Sequence, residues 1–140
     1  MKLQLVTLAG VKVDRDVYEV ILPTSEGEIA VFPDHESLVT LAVPGAIAVR
    51  ETKDSPDDAM EYFAISGGII EISGRKVRVL VDEADSSDEI SEEEARAALE
   101  RAVALRDSAD DQIDREKAMQ LIDRHSVRLR VAELRRRHRR

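Results

Sequence analysis

The sequence predicts a β plus α protein, an N-terminal antiparallel β-sandwich followed by a C-terminal antiparallel αα-hairpin. Three observations carry this. All six Gly and all four Pro fall at or before Gly74, so nothing later in the chain punctuates a helix. Before Val81 the apolar residues come in strand-length runs separated by turn signals, a spacing that favours a sandwich or flattened barrel. After it they recur at intervals of three and four, as one face of a helix does. The expected division is residues 1–85 for the sandwich and 86–140 for the hairpin.

Leu3, Leu5 and Thr7 alternate with Lys2, Gln4 and Val6, and Gly10 closes this first strand as a turn residue. Val11–Val13 pairs nearby. Val17–Leu22 is ended by Pro23, and Glu28–Phe32 is ended by Pro33. Leu38–Val43, Ala46–Glu51, Met60–Ile65, Ile69–Ile72 and Lys76–Val81 complete nine short strands. Lys53–Ala59, charged and holding Pro56, reads as a solvated hairpin loop. Ser66-Gly67-Gly68 and Ser73-Gly74 are tight turns that need positive φ or close backbone approach; no helix follows either, so neither is a phosphate loop.

Ser91-Glu92-Glu93-Glu94 is a capping box, with the serine oxygen accepting an orphan amide of a first helical turn. Ala95, Ala98, Leu99, Ala102, Leu105 and Ala109 then form a thin stripe of mostly small residues. Asp110 and Asp111 are cap candidates for a second helix, whose facing stripe is Ala118, Leu121, Ile122, His125, Leu129 and Ala132. So few methylenes per turn make a weakly packed hairpin at ~25 cal/mol per Å² of buried apolar surface, suited to a two-state switch.

Composition narrows the function. A chain of 140 residues has room for one core and an appendage. Tyr18, Phe32, Tyr62 and Phe63 are its only aromatics, too few for stacking on bases. The net charge of −8 belongs to residues 1–85, which carry 8 basic and 16 acidic side chains, whereas 86–140 carry 13 of each. The helical part has its own gradient, from eight acids and no base over Asp82–Glu94 to seven Arg and one acid over Arg128–Arg140. Folded back, the cationic tail would lie near the acidic start of the first helix; extended, it would reach an acidic partner. Without cysteine there are no disulfides and no thiolate metal sites. Leu38–Val49, the longest weakly polar run, is far short of a membrane span, and with strand-like sequence from the first residues given no export signal is expected.

The residue inventory points away from catalysis. There is no nucleophile elbow, Walker sequence, dinucleotide fingerprint or paired-histidine metal motif, and the imidazoles are His35, His125 and His138. His35 reads as a turn residue, His125 as a packed, hydrogen-bonded member of a helical stripe, and His138 as part of the tail. Arg124 and Arg128, at i and i+4, set two guanidinium forks on one helical face, a geometry suited to phosphate oxygens. An antiparallel hairpin would bring Glu93 and Arg96 towards them; an interhelical set of ion pairs with no ligand is the plainer reading.

Gly27-Glu28-Ile29-Ala30-Val31-Phe32-Pro33-Asp34-His35, with Leu38 after it and Ser66-Gly67-Gly68-Ile69-Ile70-Glu71 further on, resembles the epsilon subunit of bacterial F-type ATP synthase. The resemblance runs over the whole chain and takes in Ala95-Arg96-Ala97 and Leu129-Arg130-Val131-Ala132-Glu133-Leu134. It implies a sandwich of ten strands and a non-catalytic rotor subunit attached to gamma in the central stalk. The c-ring would lie below it and the alpha and beta subunits of the catalytic head above, at the cytoplasmic face of the membrane. The turns Phe32, Pro33, His35 and Ser66, Gly67, Gly68 would be partner contacts. Arg128, Arg130, Arg135, Arg136 and Arg137 would form an inhibitory tail that blocks ATP hydrolysis when the helices open.

The resemblance further implies regulatory ATP on the folded hairpin, at Glu93, Arg96, Arg124 and Arg128. The helix-one motif departs from the family's pattern, with Glu92 where an apolar residue stands and Glu93 in place of Asp. No metal or obligatory cofactor is expected. The alternative to a rotor subunit is a stand-alone phosphate- or nucleotide-sensing adaptor with a basic tail; the acidic sandwich argues against nucleic acid as its ligand.

Overall fold

The computed structural model describes residues 1–138; Arg139 and Arg140, the end of the expected cationic tail, lie outside the described residues. Ten strands precede two helices: β1 (Lys2–Thr7), β2 (Gly10–Asp16), β3 (Glu19–Thr24), β4 (Gly27–Val31), β5 (Leu38–Ala42), β6 (Gly45–Arg50), β7 (Glu61–Ile65), β8 (Gly68–Ser73), β9 (Lys76–Val81), β10 (Ala84–Ser86), α1 (Glu92–Asp107) and α2 (Gln112–His138). The strands lie in the order β10-β7-β6-β3-β5-β8-β9-β1-β2, with β4 on β3. The architecture is the expected β-sandwich with a helical hairpin.

Two details depart from the sequence reading. β1 and β9 pair in parallel, Leu3 opposite Val77 and Leu5 opposite Val79, while every other ladder is antiparallel. A parallel pair needs a long connection, and the whole intervening sandwich supplies it. Pro23, expected to end its strand, sits inside β3 opposite Glu28. Its carbonyl accepts the Val43 N–H at 3.1 Å, so its ring nitrogen faces the same edge. There β3 leaves β6 after Ile21 and meets β5 only at Thr24, a gap in the ladder where no N–H is needed.

The main core lies inside the sandwich, where Leu3, Leu5, Val20, Leu22, Ile47, Ile70, Val77 and Val79 are fully buried. A second, separate cluster lies outside it. The opposite face of β6 and β7 presents Ala48, Tyr62 and Ala64 to Ile90, Ala95, Val131 and Ala132 of the helical part. Small side chains on the strands let α2 lie close to the sheet, and both faces of these two strands are therefore buried.

The helix signals act as read. Ser91 Oγ accepts the Glu94 N–H at 3.3 Å and starts α1, and Asp111 Oδ1 accepts the Asp114 N–H at 2.8 Å at the start of α2. On α1 only Ala95 and Ala102 are buried, so the hairpin interface is as thin as the alanine stripe suggests. α2 carries more than the expected stripe. Ala118 and Ala132 are buried as foreseen, but Val131 is wholly inaccessible and Val127 and Leu134 join it against the sheet. A helix wedged between a partner helix and a sheet needs two apolar faces, which blurs the single-face periodicity that marks a surface helix.

Candidate partner surfaces and switch helix

One face of α2 is basic because Arg124, Arg128 and Arg135 stand four and seven residues apart, within about 40° of one another around the helix. Each meets a carboxylate of the segment that links β9 to α1. Arg124 Nε lies 3.0 Å from Glu83 Oε2, Arg128 Nη1 donates to Asp85 Oδ2, and Arg135 Nη2 lies 2.8 Å from Asp88 Oδ1. Arg135 also donates to the Ser87 carbonyl at 3.2 Å. Glu92 takes Arg96 at 3.0 Å, within α1, and Arg136 at 3.3 Å from α2. The described part of the cationic tail thus folds back on the acidic start of the helical region. Arg130 and Arg137 remain exposed.

The four residues considered for nucleotide divide into two groups. Arg124 and Arg128 line a cleft of about 400 Å³ between the helices, together with Arg101, His125 and Glu94. Glu93 and Arg96 are exposed and are not among its lining residues. No group of three or more His, Cys, Asp or Glu side chains fit to hold a metal occurs among the described residues.

His125 Nδ1 is buried at this cleft without the hydrogen bond expected for it among the described residues. Burial first, then the charges of Arg124 and Arg128 on its own helix and Arg101 on α1, hold its pKa below the ordinary imidazole value. The folded hairpin therefore disfavours the protonated form of His125. As pH falls through the usual imidazole range, about 6.5, the opened chain takes up a proton more readily than the packed one, and stability falls. We expect urea midpoints that fall as pH drops from about 7.5 to about 5.5, and a smaller fall over that window in His125→Gln; equal slopes in the two proteins would exclude His125 as the cause.

The two turns considered as partner contacts are built differently. At Phe32–His35, Asp34 adopts φ 70°, the His35 N–H bonds to the Phe32 carbonyl at 3.2 Å, and His35 Nδ1 lies 2.6 Å from the Glu36 carbonyl. Phe32 is partly exposed and meets Tyr18 edge to face, with ring centroids 5.6 Å apart. Pro33 and His35 are half-buried. At Ser66–Gly68 the constraint is internal. Ser66 N–H bonds to the Glu83 carbonyl at 3.1 Å and Ser66 Oγ accepts the Glu83 N–H at 3.0 Å, which ties this turn to the one between β9 and β10. A Cβ on Gly68 would lie 2.0 Å from the Leu80 carbonyl oxygen, and one on Gly67 would lie 3.2 Å from that of Ala42. Close approach of strands accounts for both glycines.

A surface that the sequence did not reveal lies on β5 and β8. Val39 is 72% exposed, Leu41 60% and Ile69 42%, with Leu41 directly opposite Ile69. The run Leu38–Val43 is apolar at nearly every position, which in a sequence looks like a strand buried on both sides. In β6 and β7 a helix covers the outer face; over Val39, Leu41 and Ile69 no element lies among the described residues.

Residues 1–87 match the family described as "ATP synthase, Delta/Epsilon chain, beta-sandwich domain". The "ATP synthase epsilon chain" of Herpetosiphon aurantiacus is 36% identical over 140 residues, covering 97% of this chain and 96% of that one. The protein of the same description from Staphylococcus aureus strain JH9 is 35% identical over 135 residues, covering 96% and 97%. Among solved structures, a chain of the Euglena gracilis mitochondrial ATP synthase, "OSCP/F1/c-ring in rotational state 1", superposes with a TM-score of 0.79 at 25% identity, covering 94% of this chain and 79% of that one. The sandwich falls within a single family match and the likeness continues through the hairpin in the full-length relatives, so the chain belongs to the ATP synthase delta/epsilon chain family.

Proposed function

We propose that this chain is a non-catalytic rotor subunit of an F-type ATP synthase, with residues 1–85 anchoring it to gamma and the c-ring and residues 86–140 acting as a brake on ATP hydrolysis. Relatives described as ATP synthase epsilon chain over nearly their whole length support the complex, as does the likeness to a chain of an F1/c-ring assembly. The observation that carries the anchor is the uncovered apolar face of Val39, Leu41 and Ile69, since a contiguous exposed apolar patch on a folded domain marks a docking surface. Gamma is the occupant proposed for it, and the turns at Phe32–His35 and Ser66–Gly68 are proposed to contribute at its margins. The tail residues Arg128, Arg130 and Arg135–Arg137 would meet acidic surfaces of the alpha and beta subunits once α2 is released. No described helix is long and apolar enough to cross a membrane, and attachment at the cytoplasmic face would run through gamma and the c-ring.

The test is co-purification with gamma. Val39→Glu and Leu41→Glu, each at an exposed site, are expected to weaken capture by gamma by about tenfold or more while leaving the melting temperature unchanged. Wild-type capture by both variants would remove this face from the interface.

Regulatory ATP is a narrower proposal. The phosphate half of such a site fits, because Arg101, Arg124 and Arg128 share one cleft, and bound nucleotide would supply charge to hold the hairpin closed. Glu93 and Arg96 stand apart from that cleft, so the base would need other contacts. Equilibrium titration with ATP into the millimolar range is expected to show saturable binding that Arg128→Ala weakens by about tenfold; absence of binding by the wild type would dispose of the proposal.

A further inference from the structure

The ion pairs between α2 and the linker share a pitch. From Arg124 to Arg128 the helix rises about 6 Å, and from Arg128 to Arg135 about 10 Å. Their partners Glu83 and Asp85 are two residues of extended chain apart, about 7 Å, and Asp88 follows three residues later, where the chain leaves β10 for a short 3-10 turn over Ser87–Glu89 that brings the next carboxylate within reach of Arg135. Linker and helix therefore run side by side in the same direction, with acid and base in step. The linker is itself fixed to the sheet, through the pairing of β10 with β7 and through Lys12, whose Nζ lies 2.7 Å from Glu89 Oε1.

We propose that the segment from Glu83 to Glu92 is a built-in competitor for the basic face of α2, a carboxylate ladder that holds the helix on the sandwich and must be displaced before those arginines reach any other acidic surface. Such a device needs weak rungs, and these qualify. Arg124 and Glu83 are both about half exposed at their side chains, and the Arg128–Asp85 pair is the most enclosed of the rungs at 22% and 28%. Pairs of this kind are individually modest and screened by salt, so a ladder can open where a single buried pair would not. The apolar cluster of Val127, Val131 and Leu134 on Tyr62 and Ala64 responds to salt with the opposite sign, since excluded salts strengthen burial. The response to ionic strength thus separates the two sources of attachment. The holding role stands on this geometry alone; displacement by the catalytic head rests on the function proposed above.

The chain has no cysteine, so two introduced ones give specific labels. Spin labels at Ser25→Cys on the sandwich and Ser126→Cys on an exposed position of α2 would report the docked and open populations of the full-length protein. Raising ionic strength from about 0.02 M to about 0.5 M shortens the screening length from about 20 Å to about 4 Å, and the open population should rise about tenfold. Glu83→Arg with Asp85→Arg should give a comparable rise at low salt. Adding Arg124→Glu and Arg128→Glu to that pair should restore the docked population, an outcome that mere loss of packing would not produce. Distances insensitive to both salt and charge reversal, or no restoration by the fourfold exchange, would overturn the ladder. A working ladder in a protein that fails to inhibit the catalytic head would count against the proposed function and leave the ladder standing.

Discussion

A catalytic head reconstituted with gamma and a version of this chain ending at Ser87 is expected to hydrolyse ATP about tenfold faster than one carrying the full-length chain, the ratio for a brake engaged roughly nine-tenths of the time. Both versions should incorporate at equal stoichiometry, because the interior of the sandwich is built without helical residues and the exposed face at Val39, Leu41 and Ile69 is untouched by the cut. The truncation also uncovers Ala48, Tyr62 and Ala64 on the outer face of β6 and β7. Some loss of solubility is therefore expected, so incorporation has to be measured alongside activity. Equal rates with both versions incorporated would mean that the hairpin is no brake in this protein.

Gly68→Ala is expected to be the most damaging single methyl addition in the sandwich. Its Cβ would stand 2.0 Å from the Leu80 carbonyl oxygen and 2.9 Å from Val81 Cγ1. The nearer atom is backbone, in the strand that pairs with β8 from Gly68↔Val81 to Ser73↔Lys76, and it cannot rotate away as a side chain does. Relief requires β8 and β9 to part at the end where Ser66 also binds Glu83. A cost of about 3 kcal/mol or more follows, with a fall in melting temperature on the order of 10 °C. A melt within about 2 °C of wild type would show that the ladder yields easily there. Charged substitutions at Gly68 consequently make poor probes of partner contact, since they would unfold the turn before they could report on docking.

Local signals were legible where a side chain acts on its own backbone. Ser91 and Asp111 cap the helices that their positions announced, and the run Lys76–Val81 is β9 residue for residue. Signals that depend on distant partners were not. β10 hides in an acidic stretch, and its Asp85 is accommodated by Arg128, 43 residues away. The sheet-facing side of α2 could not be read from a one-stripe pattern, and Val131, its most enclosed residue, fell outside the stripe. Val39 and Leu41 gave no sign of their exposure, since apolar side chains that await a partner look like core in a sequence. Arg124 and Arg128 were recognisable as a pair of neighbouring forks, but their carboxylate partners lie in the linker, a segment whose path the helical spacing does not specify.

The parallel pairing of β1 with β9 also sets the order of events during synthesis. Lys2–Val6 leave the ribosome well before their partners on this edge, Lys76–Leu80, which emerge only after the intervening strands have been made. Until then β1 can pair only with β2, and the sandwich stays unclosed. Once β9 is out, the barrel-like core can seal before either helix has been translated in full. The helices then meet a finished surface with its alanine face and acidic border already in place. A docked hairpin is thus an addition to a completed scaffold, and its later release need not retrace the steps by which that scaffold formed.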